Sequence, residues 1–293
     1  MKQIAFLTAD CMLEGRVGAR EDAWEHTLEF AAIAPACSAR GYALTEVIWD
    51  DPDFDPNAYD AVLIGTVWDY MQKPDAFLAA LERIDAASLL LNPRSTVVWN
   101  SDKGYLRELE AKGLPVIPTV WADAATPEII AEAFEQFDCD QLVVKPRIGA
   151  SAWRQARVTR GQALPSADQM PPDACLIQPF LKAAETEGET TLLFFGREFS
   201  HALVKTPKAG DYRTQSMYGA SEVAVTPPDE AIETARAALE AVEGPLLYGR
   251  VDLMRRADGR FAIMELELIE PYYYPEQGPD LGTNFAKALA ELI

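Results

Sequence analysis

The segment from Leu247 to Leu268 constrains the fold of this chain more than any other. Two apolar runs of alternating character flank Asp258-Gly259, a dipeptide that strongly favours a β-hairpin turn. A turn centred on that dipeptide places Asp252 opposite Glu265 and Arg250 opposite Glu267. Because side chains alternate between the two faces of a strand, all four lie on the same face. The sequence therefore predicts three carboxylates and one guanidinium on a single patch.

Such a patch favours a bound cation. Carboxylates directly opposite each other across a ladder are destabilising, by roughly 0.2–1 kcal/mol per pair. A hard divalent ion with oxygen ligands removes that conflict, and such carboxylate pairs suit Mg²⁺, or Mn²⁺ in its place, shared with the phosphates of a substrate. The alternative is a solvated face of an edge hairpin. A bulge that shifts the register by one residue would also separate Asp252 from Glu265.

The rest of the chain reads as an α/β (α+β) protein. Up to about residue 95, strands alternate with helices, as in a small open parallel sheet: we expect strands at 3–8, 43–49, 60–66 and 88–91, and helices at 21–40 and 74–85. The pattern then changes, and the stretch 174–205 has strand-like runs with glycine turns, typical of antiparallel sheets. There we expect helices at 101–112, 127–137, 229–242 and 280–292, and strands at 116–120, 141–146, 247–254 and 261–268.

Several cationic residues stand where they can meet phosphates. Lys145 leaves a buried strand beside a loop of small residues, whose backbone N–H groups can approach an anion. Lys103 stands near the start of a predicted helix, where a cation is slightly misplaced for stability and an anionic ligand explains it better. Lys205 ends a strand and Arg213 follows in a loop. Each is also compatible with an ordinary surface charge.

Charge and motifs exclude other classes of protein. With 26 basic and 46 acidic residues the net charge is −20, which disfavours nucleic acid as a partner. Four cysteines without a CxxC pair and only two histidines argue against zinc fingers and disulfide scaffolds. There is no P-loop, no GxGxxG after a strand and no kinase or serine-hydrolase motif. Without a signal peptide or a long apolar stretch, the chain is expected to be cytoplasmic, with no membrane partner.

Taken in order, the motifs resemble those of the ATP-grasp ligases. Besides Lys103, RVDL and MELE, they are VVKP at 143–146, the loop 149–151, QPFL at 178–181 and EGE at 187–189. The phrases VWDY, NSDK, FSHALVK, AGDYR and ELELIEP look closest to the branch of glutathione synthetase-like proteins and cycloserine-biosynthesis cyclo-ligases. The resemblance covers about residues 97–293.

The resemblance implies an ATP-grasp fold with three units: a pre-ATP-grasp α/β domain at 1–96, a lid subdomain at 97–183 and a catalytic subdomain at 184–293. ATP would lie between two antiparallel sheets, held by Lys103, Lys145, Gly149, Ser151, Gln178, Pro179, Phe180, Leu181, Glu185 and Glu187. Mg²⁺ would be held by Asp252, Glu265 and Glu267. Arg250, Arg213 and Lys205 would stabilise the transferred phosphoryl group. The loop at 149–152 has fewer glycines than in many relatives, and many have Asn at position 267.

For the acceptor substrate the sequence offers strand-end residues, since ligands of open α/β sheets bind beyond the carboxyl ends of the strands. The candidates are Arg16, Trp68, Asp69, Tyr70, Glu270 and Tyr272. The aromatic residues are equally compatible with packing or with a subunit contact in a homodimer.

The implied reaction is an ADP-forming ligation of a small carboxylate to an amine through an acyl phosphate, making an amide or closing a ring. Such phosphoryl transfer needs positioning and neutralised charge more than a covalent nucleophile, which suits a chain poor in histidine. The alternatives are a nucleotide-binding module without turnover and a carboxylate kinase that releases acyl phosphate.

Overall fold

The computed structural model describes residues 1–150, 152–208, 210–214 and 219–293, and its strands form three sheets. The strands are β1 (Lys2–Thr8), β2 (Tyr42–Ile48), β3 (Ala61–Ile64), β4 (Leu89–Leu91), β5 (Val120–Ala122), β6 (Gln141–Pro146), β7 (Ala156–Thr159), β8 (Cys175–Pro179), β9 (Glu189–Phe195), β10 (Glu198–Thr206), β11 (Ser221–Val225), β12 (Tyr248–Arg255) and β13 (Phe261–Glu267). The helices are α1 (Trp24–Ala39), α2 (Pro74–Asp85), α3 (Arg94–Asn100), α4 (Tyr105–Ala111), α5 (Pro127–Phe137), α6 (Ala183–Thr186), α7 (Asp229–Glu240) and α8 (Leu281–Leu292). Within the described residues, no helix combines the length and hydrophobicity needed to cross a membrane.

The N-terminal sheet is parallel, as the sequence predicts, with strand order β2-β1-β3-β4. Residues 4–8 of β1 and all of β3 are buried, which is why both strands read as continuous apolar runs. The order of strands reverses between β1 and β3. In open α/β sheets a ligand crevice forms at such a switch point, beyond the carboxyl ends of the strands.

The other two sheets are antiparallel, as expected. The middle sheet has the order β5-β8-β6-β7, and the C-terminal sheet has the order β11-β10-β9-β12-β13. Helix α5 covers the middle sheet; it begins after Thr126, whose side chain accepts a hydrogen bond from the Ile129 N–H, and has Pro127 in its first turn. Helix α7 packs on β12 and β13.

The helix predicted at 101–112 is confirmed only from Tyr105 to Ala111, as α4, because a turn at 101–104 separates it from another short helix, α3. The Asp102 carboxylate accepts a hydrogen bond from the Gly104 N–H at 2.8 Å, and the Lys103 N–H donates to the Arg147 carbonyl at 3.0 Å. These side-chain and long-range bonds replace the helical ones. Lys103 therefore lies in the turn before α4.

The strand predicted at 116–120 was also displaced, and β5 begins only at Val120. Val116 forms an isolated parallel bridge with Ile263 of the C-terminal sheet. Pro118 lacks an N–H and stands between that bridge and β5. The segment 116–122 thus connects the C-terminal sheet to the middle sheet.

Buried side chains complete the exposed edge of β13. Tyr105 donates its hydroxyl to the Leu266 carbonyl at 3.1 Å and accepts from the Leu266 N–H at 2.9 Å. Asn100 accepts from the Leu268 N–H at 2.9 Å and donates to the Leu266 carbonyl at 3.0 Å. The backbone groups of an edge strand would otherwise lack partners, so these side chains replace a neighbouring strand.

Candidate active site

The turn of the β12–β13 hairpin is built as a three-residue loop. Arg255 pairs with Phe261, and the Arg256 N–H donates to the Arg260 carbonyl at 2.9 Å. Gly259 has a φ of +79°, a left-handed conformation that glycine adopts without steric cost. The pairing next to the turn is centred on Asp258, so the predicted centre between Asp258 and Gly259 was wrong there.

A β-bulge at Met264 corrects the register farther from the turn. Met264 has no partner on β12, and beyond it Asp252 pairs with Glu265 and Arg250 with Glu267. The predicted pairing of these four residues is therefore confirmed. A bulge was the feature that would separate Asp252 from Glu265 if it shifted the predicted register, whereas this bulge brings the carboxylates together. If the pairing next to the turn continued without a bulge, Met264 would lie opposite Asp252, and the two glutamates would point to the other face of the sheet.

The three carboxylates of the hairpin converge. One oxygen each of Asp252, Glu265 and Glu267 lies within 4.8 Å of the others, and Asp252 is buried while the two glutamates are partly buried. Three carboxylate oxygens this close together are a donor set suited to a hard divalent cation.

Basic side chains neutralise this cluster. Arg250 Nη2 lies 3.0 Å from Asp252 Oδ2 and also pairs with Glu267. Lys205 Nζ lies 3.4 Å from Asp252 Oδ1 and pairs with Glu189. Because Lys205 and Glu189 are both buried, their charges can be kept only as part of this network.

Asp252 stays ionised in spite of its burial. Burial alone would raise the pKa of its carboxyl, but Arg250 and Lys205 outweigh that effect. The Thr191 hydroxyl also donates to Asp252 Oδ1 at 2.6 Å, which favours the charged form. The pKa of Asp252 is consequently held well below its usual range.

The two glutamates differ in their ionisation. Burial disfavours the charged form of Glu265, but Lys103 and Lys145 lower its pKa below the usual value. Burial raises the pKa of Glu267 to about 7, and Arg250 offsets this only in part. Near neutral pH the cluster therefore has two fixed negative charges and one carboxyl that changes its protonation state.

Two lysines lie near Glu265: Lys145 on β6 of the middle sheet and Lys103 in the turn before α4. Lys103 Nζ lies 3.0 Å from Glu265 Oε1 and donates to the Gly149 carbonyl at 2.6 Å. Burial lowers the pKa of Lys145, while Glu265 favours its charged form and Lys103 opposes it. A carboxylate and two ammonium groups thus share one small region, an arrangement suited to phosphate oxygens.

The hinge at 178–181 is fixed by hydrogen bonds from both sides. Gln178 Nε2 donates to Thr119 Oγ1 at 3.0 Å, and the Phe180 N–H donates to the Gln141 carbonyl at 2.9 Å. The Arg157 guanidinium lies 3.9 Å from the centre of the Phe180 ring. This segment forms one wall of the cavity described next.

A cavity of about 670 Å³ joins these features, and residues of all three sheets or of the loops that follow their strands line it. It contains nearly all of the predicted nucleotide, metal and catalytic residues: Lys103, Lys145, Gly149, Gln178, Pro179, Phe180, Leu181, Lys205, Arg213, Arg250, Asp252, Glu265 and Glu267. Arg213 forms an ion pair with Asp211 at 2.6 Å beside it. Side chains far apart in the sequence are therefore brought to one place.

Comparisons with known proteins agree with this geometry. Residues 4–92 match the family described as "D-cycloserine synthetase DcsG, N-terminal domain". The cycloserine biosynthesis protein DcsG of Streptomyces lavendulae is 31% identical over 283 residues, covering 89% of this chain and 92% of that protein. The chain belongs to the DcsG family of ATP-grasp ligases.

Solved structures confirm the ATP-grasp fold for this DcsG-family ligase. The crystal structure of D-cycloserine synthetase DcsG has a TM-score of 0.85 at 27% identity, with 99% of each chain covered. The ATP-grasp ligase PsnB, complexed with a minimal precursor, Mg and ADP, has a TM-score of 0.65 at 16% identity, with 98% of this chain and 97% of PsnB covered. The predicted resemblance and the predicted enzyme class, a ligase forming C–N bonds, are both confirmed.

Several predicted residues of this DcsG-family ligase lie away from the lining of the large cavity. Glu185 and Glu187 are exposed, and their carboxylates pair with Arg157 at 2.7 Å and with Arg255 at 2.8 Å. Both follow the hinge in sequence, but the short helix α6 and its end direct them to basic partners outside. Ser151 lies outside the described residues.

Two predicted acceptor residues also lie elsewhere. Arg16 pairs with Asp10 at 2.6 Å and lines a separate cavity of about 450 Å³ beside β2. Asp69 accepts a hydrogen bond from the Trp49 indole at 2.7 Å and pairs with Lys73, so it supports the loop after β3.

The remaining acceptor residues, Trp68, Tyr70, Glu270 and Tyr272, do line the large cavity of this DcsG-family ligase. Arg20, which lies in the same candidate loop as Arg16, lines it as well and is fixed by Asp22 through two hydrogen bonds of 2.7 Å. Its position after β1, at the switch point of the sheet, was the available signal. The buried ion pair of Glu189 with Lys205 was not predicted. Glu187 and Glu189 stand just before and at the start of β9, and the sequence does not show which of the two carboxylates points into the protein.

Proposed function

We propose that this enzyme is an ADP-forming ligase that joins a small carboxylate to an amine through an acyl phosphate. The observation that carries the proposal is one cavity in which three converging carboxylates face the ammonium groups of Lys103 and Lys145. Carboxylates for a metal and cations for phosphates, side by side, are the parts that phosphoryl transfer requires.

The carboxylate cluster fits Mg²⁺. Asp252, Glu265 and Glu267 each offer one oxygen, and hard oxygen ligands are those that Mg²⁺ prefers. The residue at position 267, Glu rather than Asn, keeps an oxygen in the set. When bound, Mg²⁺ would neutralise charge on the phosphates. Lys103 pairs with Glu265. When metal and nucleotide bind, Glu265 would ligate Mg²⁺ and Lys103 would turn to a phosphate oxygen.

The nucleotide would lie between the middle sheet and the C-terminal sheet. We assign adenine to the hinge at 178–181 and the phosphates to Lys103, Lys145 and the backbone of the loop around Gly149. Glu185 and Glu187 lie outside the cavity lining, so the ribose contacts that the resemblance implied for them require the Arg157 and Arg255 ion pairs to open. The proposed unit at 1–96 then supplies acceptor residues, the unit at 97–183 supplies the lid, and the unit at 184–293 supplies the catalytic residues together with the acceptor residues Glu270 and Tyr272.

The transfer itself needs positioned cations. A carboxylate oxygen of the substrate attacks the γ-phosphorus, and the bond to ADP breaks. Arg250, held by Asp252 and Glu267, presents a planar fork to the transferred group, and Arg213 lies across the same cavity. Lys205 is buried between Glu189 and Asp252, so we assign it to holding Asp252 in place. An amine nitrogen then attacks the acyl carbon and phosphate leaves.

We further propose that the substrates are small and amino-acid-like, and that the product is an amide or a ring. Support comes from the DcsG relative, whose name places it in cycloserine biosynthesis. A binding module without turnover is disfavoured by the intact carboxylate cluster and by membership of a ligase family.

The test incubates the protein with ATP, Mg²⁺ and a pool of L- and D-amino acids, and measures ADP, phosphate and condensed products. We expect ADP and product in equal amounts. ADP without a condensed product would indicate a carboxylate kinase, and no ADP with any combination would contradict ligase activity on this substrate class. Glu265→Gln should abolish turnover, whereas the exposed Glu198→Gln, which removes the same charge, should not.

A further inference from the structure

Glu270 stands where the N-terminal and C-terminal sheets meet in the cavity. It follows β13, three residues after Glu267. Trp68, which follows β3, donates its indole N–H to the Glu270 carbonyl at 3.0 Å. Tyr248 donates its hydroxyl to the preceding carbonyl, that of Ile269, at 2.8 Å. The backbone at Glu270 is therefore fixed from both sheets, and its side chain lines the cavity.

The Glu270 carboxyl group has no basic partner: none of the ion pairs within the described parts of the chain includes it. The charged and titratable groups that act on it are Glu267, the Tyr70 hydroxyl and, more weakly, Arg250. Burial and the nearby Glu267 raise the pKa of Glu270 to about 8. A buried carboxyl in this state gains stability from a cation brought by a ligand.

The wall next to Glu270 is aromatic. The ring centres of Trp68 and Tyr272 are 6.2 Å apart, and those of Tyr272 and Tyr274 are 4.8 Å apart. All three rings line the cavity. The faces of aromatic rings attract ammonium groups, by about 0.5–2 kcal/mol. A carboxylate beside such a wall is suited to a positively charged amino group.

We propose that Glu270 binds the ammonium group of the amine substrate and accepts the proton that this group must lose. The inference rests on the proposed ligase function. The ammonium nitrogen gives one proton to the Glu270 carboxylate, and the freed lone pair attacks the acyl carbon. The C–N bond forms as the bond between that carbon and the phosphate oxygen breaks, and phosphate leaves with the electron pair and takes the second proton from the nitrogen. Glu270 is near Glu267 of the metal carboxylates, and its carbonyl is hydrogen-bonded to Trp68 of the aromatic wall, so it lines the part of the cavity where the two substrates would meet.

The test separates phosphoryl transfer from amine capture. Wild type and Glu270→Gln receive ATP, Mg²⁺ and the pool of L- and D-amino acids, with and without hydroxylamine. Hydroxylamine is mostly uncharged at neutral pH and traps acyl phosphates as hydroxamates without needing an ammonium site. We expect hydroxamate formation to stay within about twofold of wild type, while amide or ring formation at pH 7 falls about 100-fold, which corresponds to ~2.7 kcal/mol.

The pH profile distinguishes a proton acceptor from a group with a structural role. Raising the pH deprotonates the amine in solution, so the defect of Glu270→Gln should become smaller from pH 7 to pH 9. Equal losses of hydroxamate and ligation product, or no loss of either, would overturn the assignment. The exposed Glu276→Gln serves as the charge-matched control and should behave as wild type.

Two further outcomes are distinguishable. If wild type forms neither hydroxamate nor product, the proposed function fails, and this inference fails with it. If Glu270→Gln does not fold, Glu270→Asp takes its place. Aspartate keeps the negative charge, but its side chain is shorter by one methylene group, so the carboxylate lies farther from the bound amine. That variant should raise the KM for the amine and leave hydroxamate formation unchanged; an unchanged KM would overturn the proposal.

Discussion

Lys103, Lys145 and Glu265 form a charge arrangement that can exchange partners when a nucleotide binds. Lys103 Nζ is 3.0 Å from the Glu265 carboxylate, and Glu265 favours the charged form of Lys145. Phosphate and metal arriving together would give each group a new partner of opposite charge. The site therefore avoids both uncompensated anions before binding and uncompensated cations after it.

We predict that Lys145→Ala weakens ATP binding about 10- to 100-fold, the effect of losing one hydrogen bond to a charged group. Isothermal titration with ATP and Mg²⁺ measures this effect. The exposed Lys182→Ala should bind ATP as wild type does. Equal affinities in Lys145→Ala and wild type would remove Lys145 from the nucleotide site.

The raised pKa of Glu267 predicts a pH dependence of metal binding. Below its pKa of about 7 this carboxyl is protonated and is a poor ligand, and above that pH it is ionised. The affinity for Mn²⁺, measured by electron paramagnetic resonance without nucleotide, should therefore rise from pH 6 to pH 8 and then level off. Glu267→Gln should remove most of this rise; an identical profile in the variant would contradict the assignment.

At the scale of elements, the β-bulge decides which face the metal residues occupy. Deleting Met264 should remove the bulge together with the extra residue that requires it, so that Glu265 follows Ile263 directly and stays opposite Asp252, with Glu267 opposite Arg250. We expect this deletion to retain Mn²⁺ binding, and Met264→Ala to do the same, because the three carboxylates stay on one face in both variants. Circular dichroism would verify that both variants fold. Loss of Mn²⁺ binding in the folded deletion variant would show that the site needs the bulge itself and not only the pairing beyond it.

The same elements show what sequence can predict. Alternation alone predicted that Arg250 shares a face with Asp252 and that Glu265 shares one with Glu267, because that property depends only on spacing along each strand. Whether the two pairs share a face depends on the register between the strands. The bulge between the turn and the site was not predictable, since methionine is also common in regular strands and nothing in the local sequence marks position 264 as unpaired. The predicted start of the helix at residue 101 was wrong because the bond between Lys103 and Arg147 is made over 44 residues of chain.

Placement relative to a cavity was the least predictable property. Arg16 and Arg20 lie in the same loop, yet only Arg20 lines the large cavity. Glu185 and Glu187 follow the hinge as the resemblance requires, but their side chains are paired with arginines on the outside. Such differences depend on three-dimensional partners and not on local sequence.

At the scale of the whole molecule, Asn92 connects the N-terminal sheet to the C-terminal sheet. It is fully buried, donates to the Tyr248 and Leu268 carbonyls at 2.9 Å each, and accepts from the Leu247 N–H at 2.7 Å. Because the cavity lies between the sheets, this connection contributes to the relative position of acceptor and metal residues.

We predict that Asn92→Ala lowers the free energy of unfolding by about 2–4 kcal/mol, since it leaves several buried backbone groups without partners. Urea denaturation measures the change, and the exposed Asn57→Ala should cost less than about 1 kcal/mol. A loss as small in Asn92→Ala as in the control would mean that the two sheets are held together by other contacts.

The metal site itself is tested most directly by anomalous diffraction. Crystals of the protein grown with a non-hydrolysable ATP analogue and Mn²⁺, which accepts the same oxygen ligands as Mg²⁺, locate the ion without assumptions about activity. We predict an anomalous peak ligated by Asp252, Glu265 and Glu267, with the phosphates of the analogue beside Lys103 and Lys145. A bound analogue with the ion held by other side chains, or with no ion near the hairpin, would contradict the account.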